Sequence, residues 1–143
     1  MDTLLPDPIY QADFYADVAK KRLLAWVVDT LVILVICLFI LPFTAFVALF
    51  VFPALYLTVG FIYRTLSLTS RSATWGMRMM AVELRNHRGE RFGFGEALIH
   101  TLGYSLSIAF VLPQVISVVL MAVSPRGQSL TDMVLGSAAI NRP

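Results

Sequence analysis

The sequence predicts an all-α membrane protein, a polytopic helical bundle with three apolar regions and a short cytoplasmic loop that resembles a β-hairpin. Of the 143 residues, 58% are hydrophobic and only 14% are charged, and the mean hydropathy is +0.77. Soluble domains carry about 25% charged residues, so this chain lacks the polar surface that water requires. A chain of this length forms one domain. Its net charge of +2 is too small to indicate binding to nucleic acid.

Residues 1–19 are predicted to form an interfacial segment that precedes the first apolar run. Aromatic and apolar residues recur at helical spacing from Tyr10 to Ala19, while Asp13 and Asp17 fall on the opposite side. This pattern is typical of a short helix at the depth of the lipid headgroups. The first apolar run starts late and has no clear cleavage site directly after it, so we expect it to remain in the mature protein.

Two apolar runs, at about residues 23–41 and 45–63, are each long enough to cross the hydrocarbon core of a bilayer. Pro42 ends the first run, and the link to the second is so short that the two runs must form an antiparallel hairpin. Pro53 lies inside the second run and predicts a kink there. Basic residues flank both ends of the hairpin, beginning with Lys20–Arg22. The positive-inside rule therefore places the N-terminus and the following loop in the cytoplasm.

The main polar segment, residues 64–96, contains six arginines and three glutamates. Within it, residues 75–80 are expected to form a turn or a helix at the membrane surface. Residues 80–85 alternate between apolar and polar in the manner of a strand, and a glycine-containing turn follows. Together with residues 90–94, this pattern predicts a small β-hairpin.

The third apolar region, residues 97–123, is long for one span and short for two. Pro113 lies inside it, so the region forms either one tilted, kinked helix or two half-length helices broken near that proline. The arginines of the tail favour a cytoplasmic C-terminus, which would require the region to re-enter the membrane. Within the tail, Ser129 and Asp132 resemble a capping box that begins a further short helix or strand.

Asp29 is an ionisable residue inside the first apolar run. An aspartate at that depth costs on the order of 3 kcal/mol to insert, so it must face other helices, be protonated or have a partner. Arg22 lies on the same helix face, about 10 Å away along the axis, which lets both side chains border one polar cavity. Two interpretations of Asp29 stay open. It carries a proton or cation, or it is a structural acid bonded to hydroxyl groups or to an arginine of a neighbouring segment.

Asp132 also has two interpretations: a helix N-terminal residue favoured by the helix dipole, or an acid that returns to the membrane surface and pairs with Arg22. His87 and His100 have no second ligand at metal-binding spacing, so no metal site is expected, and His100 is expected at the membrane interface. The single cysteine, Cys37, excludes an internal disulfide. No nucleophile has a partnered base, so we expect no enzyme, no catalytic residues and no cofactor.

Three segments in order resemble the RDD family of small bacterial membrane proteins, and the resemblance extends over residues 14–140. The segments are Phe14-Tyr15-Ala16 with Arg22-Leu23-Leu24-Ala25-x-x-x-Asp29, then Thr74 to Arg85, and finally Arg126 to Gly136. The family is named for one arginine and two aspartates, which correspond here to Arg22, Asp29 and Asp132. The chain departs from the family pattern at Met77, Ala81 and Thr131, where Lys, Gly and His are common.

The resemblance implies a protein of the bacterial inner (plasma) membrane in a family of poorly defined function, for which cation/proton exchange is one proposed activity. Our leading hypothesis is transport, in which Asp29 binds a proton or cation, Arg22 adjusts its proton affinity and Asp132 closes the site from the cytoplasm. The alternative is a non-catalytic scaffold or accessory subunit with a structural pair between Arg22 and Asp132. Three spans do not easily enclose a pathway, so a homo-oligomer or a membrane partner protein is expected besides the lipid bilayer.

Overall fold

A computed structural model describes residues 4–142, which form mainly helices. The helices are α1 (Val18–Phe43), α2 (Phe52–Arg71), α3 (Trp75–Met79), α4 (Phe94–Ala109), α5 (Val111–Val123) and α6 (Leu130–Leu135), and the strands are β1 (Val82–Arg85) and β2 (Ala138–Asn141). Among the described residues, the first two apolar runs give helices long and apolar enough to cross a membrane, and α4 with α5 would make a third crossing if the bent pair is one span. The predicted all-α bundle is confirmed.

Most of the buried residues of helix α1 lie along one stripe. Five of its buried residues recur at every fourth position, which places them on one face of the helix: Ala25, Asp29, Ile33, Cys37 and Leu41. Its other faces expose large apolar side chains, among them Leu31 and Phe39. A helix that is apolar on all sides is typical of a membrane span. Asp29 therefore lies on the one face that other elements cover.

The segment before α1 differs from its prediction. In place of a continuous interfacial helix over residues 10–19, the chain forms one 3-10 turn at Ala12–Tyr15. Asp17 then adopts a left-handed conformation with φ of 56°, which interrupts any continuation into α1. Local aromatic spacing therefore indicated a helical turn here but overestimated its length.

The second apolar run differs from its prediction in two respects. Pro53 lies in the first turn of α2, where a proline needs no backbone donor, so it begins the helix and does not kink it. The helix then continues to Arg71, beyond the predicted end at residue 63. As a result, Arg64 lies on a helix and not in the polar loop.

The third apolar region forms two half-length helices, one of the two alternatives that the sequence leaves open. Helices α4 and α5 are bent by 116° at a break between them. Phe110 occupies the break with an extended backbone, φ of −109° and ψ of 100°. Pro113 follows in the first turn of α5, where its missing N–H is not needed. The chain therefore reverses before the proline and not at it.

The two strands form an antiparallel pair in which Val82 lies opposite Asn141 and Arg85 opposite Ala138. The strand predicted near residues 80–85 is present, but its main partner is the tail. Within the polar loop, the one β-bridge that the described residues add to this strand joins Arg85 to Arg91. Because β2 pairs with β1, the polar loop and the tail lie at the same end of the bundle. We call this the loop end; it carries α3, the sheet and α6.

The buried apolar core also lies at the loop end. Its residues come from the start of α1, the end of α2, α3, both strands, the start of α4 and the links before α3 and α4: Val18, Ala25, Leu68, Ala73, Met77, Val82, Leu84, Phe92, Ala97 and Ala139. The far halves of the long helices contribute little to it and expose their apolar side chains. The loop end is thus the part of the molecule in which polar groups can be held at fixed positions.

Candidate functional site

Asp29 accepts three hydrogen bonds from other parts of the chain. Its Oδ1 accepts from the Tyr63 hydroxyl at 2.7 Å and from the Gly76 backbone N–H at 2.9 Å. Its Oδ2 accepts from the Thr74 hydroxyl at 2.6 Å. The side chain is 4% exposed. Asp29 is therefore a buried acid whose two oxygens are both occupied.

These bonds supply the N-terminal cap of the short helix α3. The first N–H groups of any helix have no partner inside it. Here the N–H of Trp75 is bonded to the Tyr63 hydroxyl at 3.2 Å, that of Gly76 to Asp29, and that of Met77 to the Thr74 hydroxyl at 3.2 Å. A carboxylate at this end is also favoured by the helix dipole. The acid on α1 thus fixes the start of α3 against it.

Gly76 permits the close approach of α3 to α1. A Cβ atom at this position would lie 2.2 Å from the backbone oxygen of Ala25 and 2.9 Å from Oδ1 of Asp29. Both distances are shorter than a van der Waals contact, and the first involves backbone that side-chain rotation cannot relieve. The hydrogen bond from Gly76 to Asp29 therefore depends on the absence of a side chain.

Asp132 accepts four hydrogen bonds and is fully buried. Its Oδ2 accepts from Nη1 of Arg22 at 2.6 Å and from the Ser129 backbone N–H at 3.0 Å. Its Oδ1 is bonded to Nε2 of His100 at 2.7 Å and accepts from the Ser137 hydroxyl at 2.9 Å. The acid on α6 is therefore joined to α1, to α4 and to the residue before β2.

Asp132 has both of the roles that the sequence suggests: it caps the start of α6, and it pairs with Arg22. Its own N–H donates to the Ser129 hydroxyl at 3.2 Å, which completes the predicted capping box. Burial alone would raise the pKa of Asp132, but the Arg22 charge and the hydrogen bonds from His100 and Arg22 hold that pKa well below its ordinary value. Asp132 is therefore an ionised acid that begins α6 and attaches it to α1.

His100 is a member of this cluster that the sequence reasoning missed. It is 2% exposed and therefore buried within the protein. An ionised carboxylate only accepts hydrogen bonds, so Nε2 carries the proton in the bond to Asp132. The available signal was the same one that singled out Asp29, namely an ionisable residue inside an apolar run.

The structure separates the three predicted residues into two sites. Arg22 pairs with Asp132, and its Nη1 also donates to the backbone oxygen of Gly127 at 3.1 Å. Asp29 is bonded instead to groups from α2 and from the start of α3. Arg22 and Asp29 both border one cavity, as the helix spacing predicts, but the cavity is mainly apolar and not polar as predicted, and no ion pair joins the two residues among residues 4–142.

The cavity has a volume of about 560 Å³, is partly open and lies between α1 and the α4–α6 segment. Its wall is mainly apolar. Three cations, Lys20, Arg22 and Arg64, and one carboxylate, Asp29, line it. Within the described part of the chain, no cluster of three His, Cys, Asp or Glu side chains is placed to hold a metal ion.

Comparison with known proteins gives one match. The model of the RDD family matches residues 16–136, which is most of the chain. This confirms the resemblance drawn from the three sequence segments. No curated protein and no solved structure matches the chain.

Proposed function

Because the chain belongs to the RDD family, we propose that this membrane protein is a non-catalytic scaffold or accessory subunit in which Arg22, Asp29 and Asp132 are structural. The observation that carries the proposal is the hydrogen bonding of the two acids. All four carboxylate oxygens accept hydrogen bonds from within the chain. An ion carrier must exchange its ligands during transport, whereas these acids hold α3 and α6 against α1.

Transport linked to a proton or cation is the second candidate function. It is favoured by the cavity, because Asp29 lines its wall. Two observations weigh against it. Lys20 and Arg64, the two cations of the same wall that form no ion pair within the described residues, repel an approaching cation, and the hydrogen bonds to Asp29 would have to break before it could bind one.

We further propose that the loop end faces the cytoplasm of a bacterium and that the protein crosses the inner membrane more than once. Support comes from Lys20–Arg22 at the start of α1 and from the arginines of the polar loop, which lie at one end of the bundle. A scaffold role requires a partner, either a second copy of the chain or another membrane protein. The exposed apolar faces of α1 and α2 provide surface for such contacts.

The test of the structural role is the substitution Asp29→Asn. The amide keeps the shape of the side chain but replaces one acceptor with a donor that faces the groups donating to Asp29. We expect the free energy of unfolding in detergent to fall by about 2 kcal/mol. Proteoliposomes loaded with a pH-sensitive dye and given a sodium gradient should show the same proton flux with this variant as with the unmodified protein.

Asp17→Asn is the matched control, because Asp17 is exposed, makes no side-chain cap bond and has a backbone conformation that asparagine tolerates. It should leave both stability and flux unchanged. The proposal fails if the unmodified protein shows a proton flux that Asp29→Asn abolishes while its unfolding midpoint stays the same. That result would establish the second candidate.

A further inference from the structure

We propose that the cavity beside Asp29 binds an anionic phospholipid, with the phosphate group against Arg64 and an acyl chain along the apolar wall. The inference does not depend on whether the protein is a scaffold or a transporter, because it concerns only the charge and shape of the cavity. Its volume of about 560 Å³ lies in the range of small-molecule sites. That range accommodates a headgroup with part of one chain.

Arg64 is the residue that points to an anion. Its guanidinium lies over the Tyr104 ring, with Cζ 4.0 Å from the ring centroid. The Tyr104 hydroxyl in turn accepts a hydrogen bond from Trp26 Nε1 at 2.6 Å. The Nε of Arg64 is buried and has no hydrogen-bond partner among residues 4–142, nor does Arg64 form an ion pair there. The guanidinium is thus held in place with its charge uncompensated.

The other charged groups of the wall leave an excess of positive charge. Arg22 is neutralised by Asp132 at 2.6 Å. Asp29 accepts from three uncharged donors, so its carboxylate offsets only one of the two remaining cations. Lys20 is exposed and forms no ion pair within the described residues. Lys20 and Arg64 therefore remain to attract a ligand, and the ligand they favour is negative.

The apolar wall and the position of the cavity favour a lipid over a soluble anion. The wall includes the apolar groups of Leu23, Val118 and Met121, which a small inorganic anion would leave uncovered. The cavity also adjoins the start of α1, where Lys20 and Arg22 precede the apolar run. Basic residues at that position lie at headgroup depth and attract anionic lipids. A phospholipid can cover the apolar wall with an acyl chain and place its phosphate group near the cations.

The test uses Trp26, which lines the cavity, as the reporter. The chain has two tryptophans, Trp26 and Trp75, so Trp75→Phe leaves Trp26 as the only one. This protein is reconstituted into phosphatidylcholine bilayers that contain brominated phosphatidylglycerol or, in parallel, brominated phosphatidylcholine. Quenching of Trp26 should show a preference of at least about fivefold for phosphatidylglycerol, since each cation near the surface contributes about that factor. Equal quenching by the two lipids would overturn the proposal.

Variants connect the preference to the cavity. Arg64→Gln should lower it about fivefold, whereas Arg64→Lys should keep most of it. Arg71→Gln is the matched control, because Arg71 is exposed on the same helix and does not line the cavity. A preference that is undiminished in Arg64→Gln would contradict the assignment. If Arg64→Gln does not fold, Lys20→Gln replaces it. We then expect Lys20→Gln to lower the preference for phosphatidylglycerol, and an undiminished preference would contradict the assignment.

A competition arm distinguishes the lipid from a free anion. Excess inorganic phosphate, added at constant ionic strength, should leave the quenching by brominated phosphatidylglycerol unchanged. Displacement of the lipid by phosphate would show that the cavity binds a soluble anion and would overturn the assignment to a phospholipid.

Discussion

Replacing Gly76 with alanine is expected to destabilise the folded protein by about 3 kcal/mol or more, at the upper end of the usual cost of overpacking. The added methyl group would lie 2.2 Å from the Ala25 backbone oxygen, so α3 must move away from α1. That movement also breaks the hydrogen bond from Gly76 to Asp29, which is 2.9 Å long. The measurement is the free energy of unfolding by SDS in mixed micelles, followed by circular dichroism.

Gly95→Ala is the matched control for this prediction. Within the part of the chain that the structure describes, a Cβ at Gly95 would meet nothing within 4 Å, and the residue lies in the first turn of α4. Alanine is favoured over glycine in a helix by up to about 1 kcal/mol, so the control should be as stable as the unmodified protein or slightly more stable. The account of α3 is wrong if the two alanine variants have equal stability.

Asp132→Asn is expected to cost about 3 to 5 kcal/mol, the usual effect of removing one member of a buried ion pair. The substitution leaves the Arg22 guanidinium, 14% exposed, without its counter-charge. It also places an amide donor among the donors of His100 and Ser137. The same unfolding measurement in mixed micelles at neutral pH tests it. An Asp132→Asn protein with unchanged stability would show that the pair contributes nothing to the fold.

The direction of the pKa shift of Asp132 predicts how the stability lost in Asp132→Asn depends on pH. The pKa of Asp132 is well below its ordinary value in the folded protein, and an unfolded aspartate titrates near about 3.9. The stability that its charge contributes is therefore fully present above about pH 5 and decreases as the pH falls below about 4. The stability difference between the unmodified protein and Asp132→Asn should shrink in that acidic range. A difference that grows there would contradict the shift.

Local sequence signals predicted much of the secondary structure. The capping box of Ser129 and Asp132 is recognisable from two residues three positions apart, and the structure contains it. The break in the third apolar region was one of the two outcomes that Pro113 indicated, since a proline limits the helix that can precede it. The helix at residues 75–80 was likewise one of two local alternatives.

Contacts between distant segments could not be predicted in the same way. The pairing of β1 with the tail depends on the reversal at Phe110, which brings residues 138–141 back to the loop end. The donors to Asp29 come from the end of α2 and the start of α3, and no spacing in the sequence relates them to α1. Arg22 and Asp29 lie on one face of α1 and border one cavity. They nevertheless belong to two separate sites, because their partners come from different distant segments.

The central claim is that Arg22 and Asp132 form a structural pair that attaches the tail to α1, and a double-mutant cycle tests it most directly. The free energy of unfolding is measured for the unmodified protein, Arg22→Gln, Asp132→Asn and the double variant. Groups in one buried network have coupling energies of about 0.5–3 kcal/mol. For a contact of 2.6 Å, we expect a coupling near the upper end, about 2 kcal/mol or more. Additive effects, within about 0.5 kcal/mol, would contradict the claim.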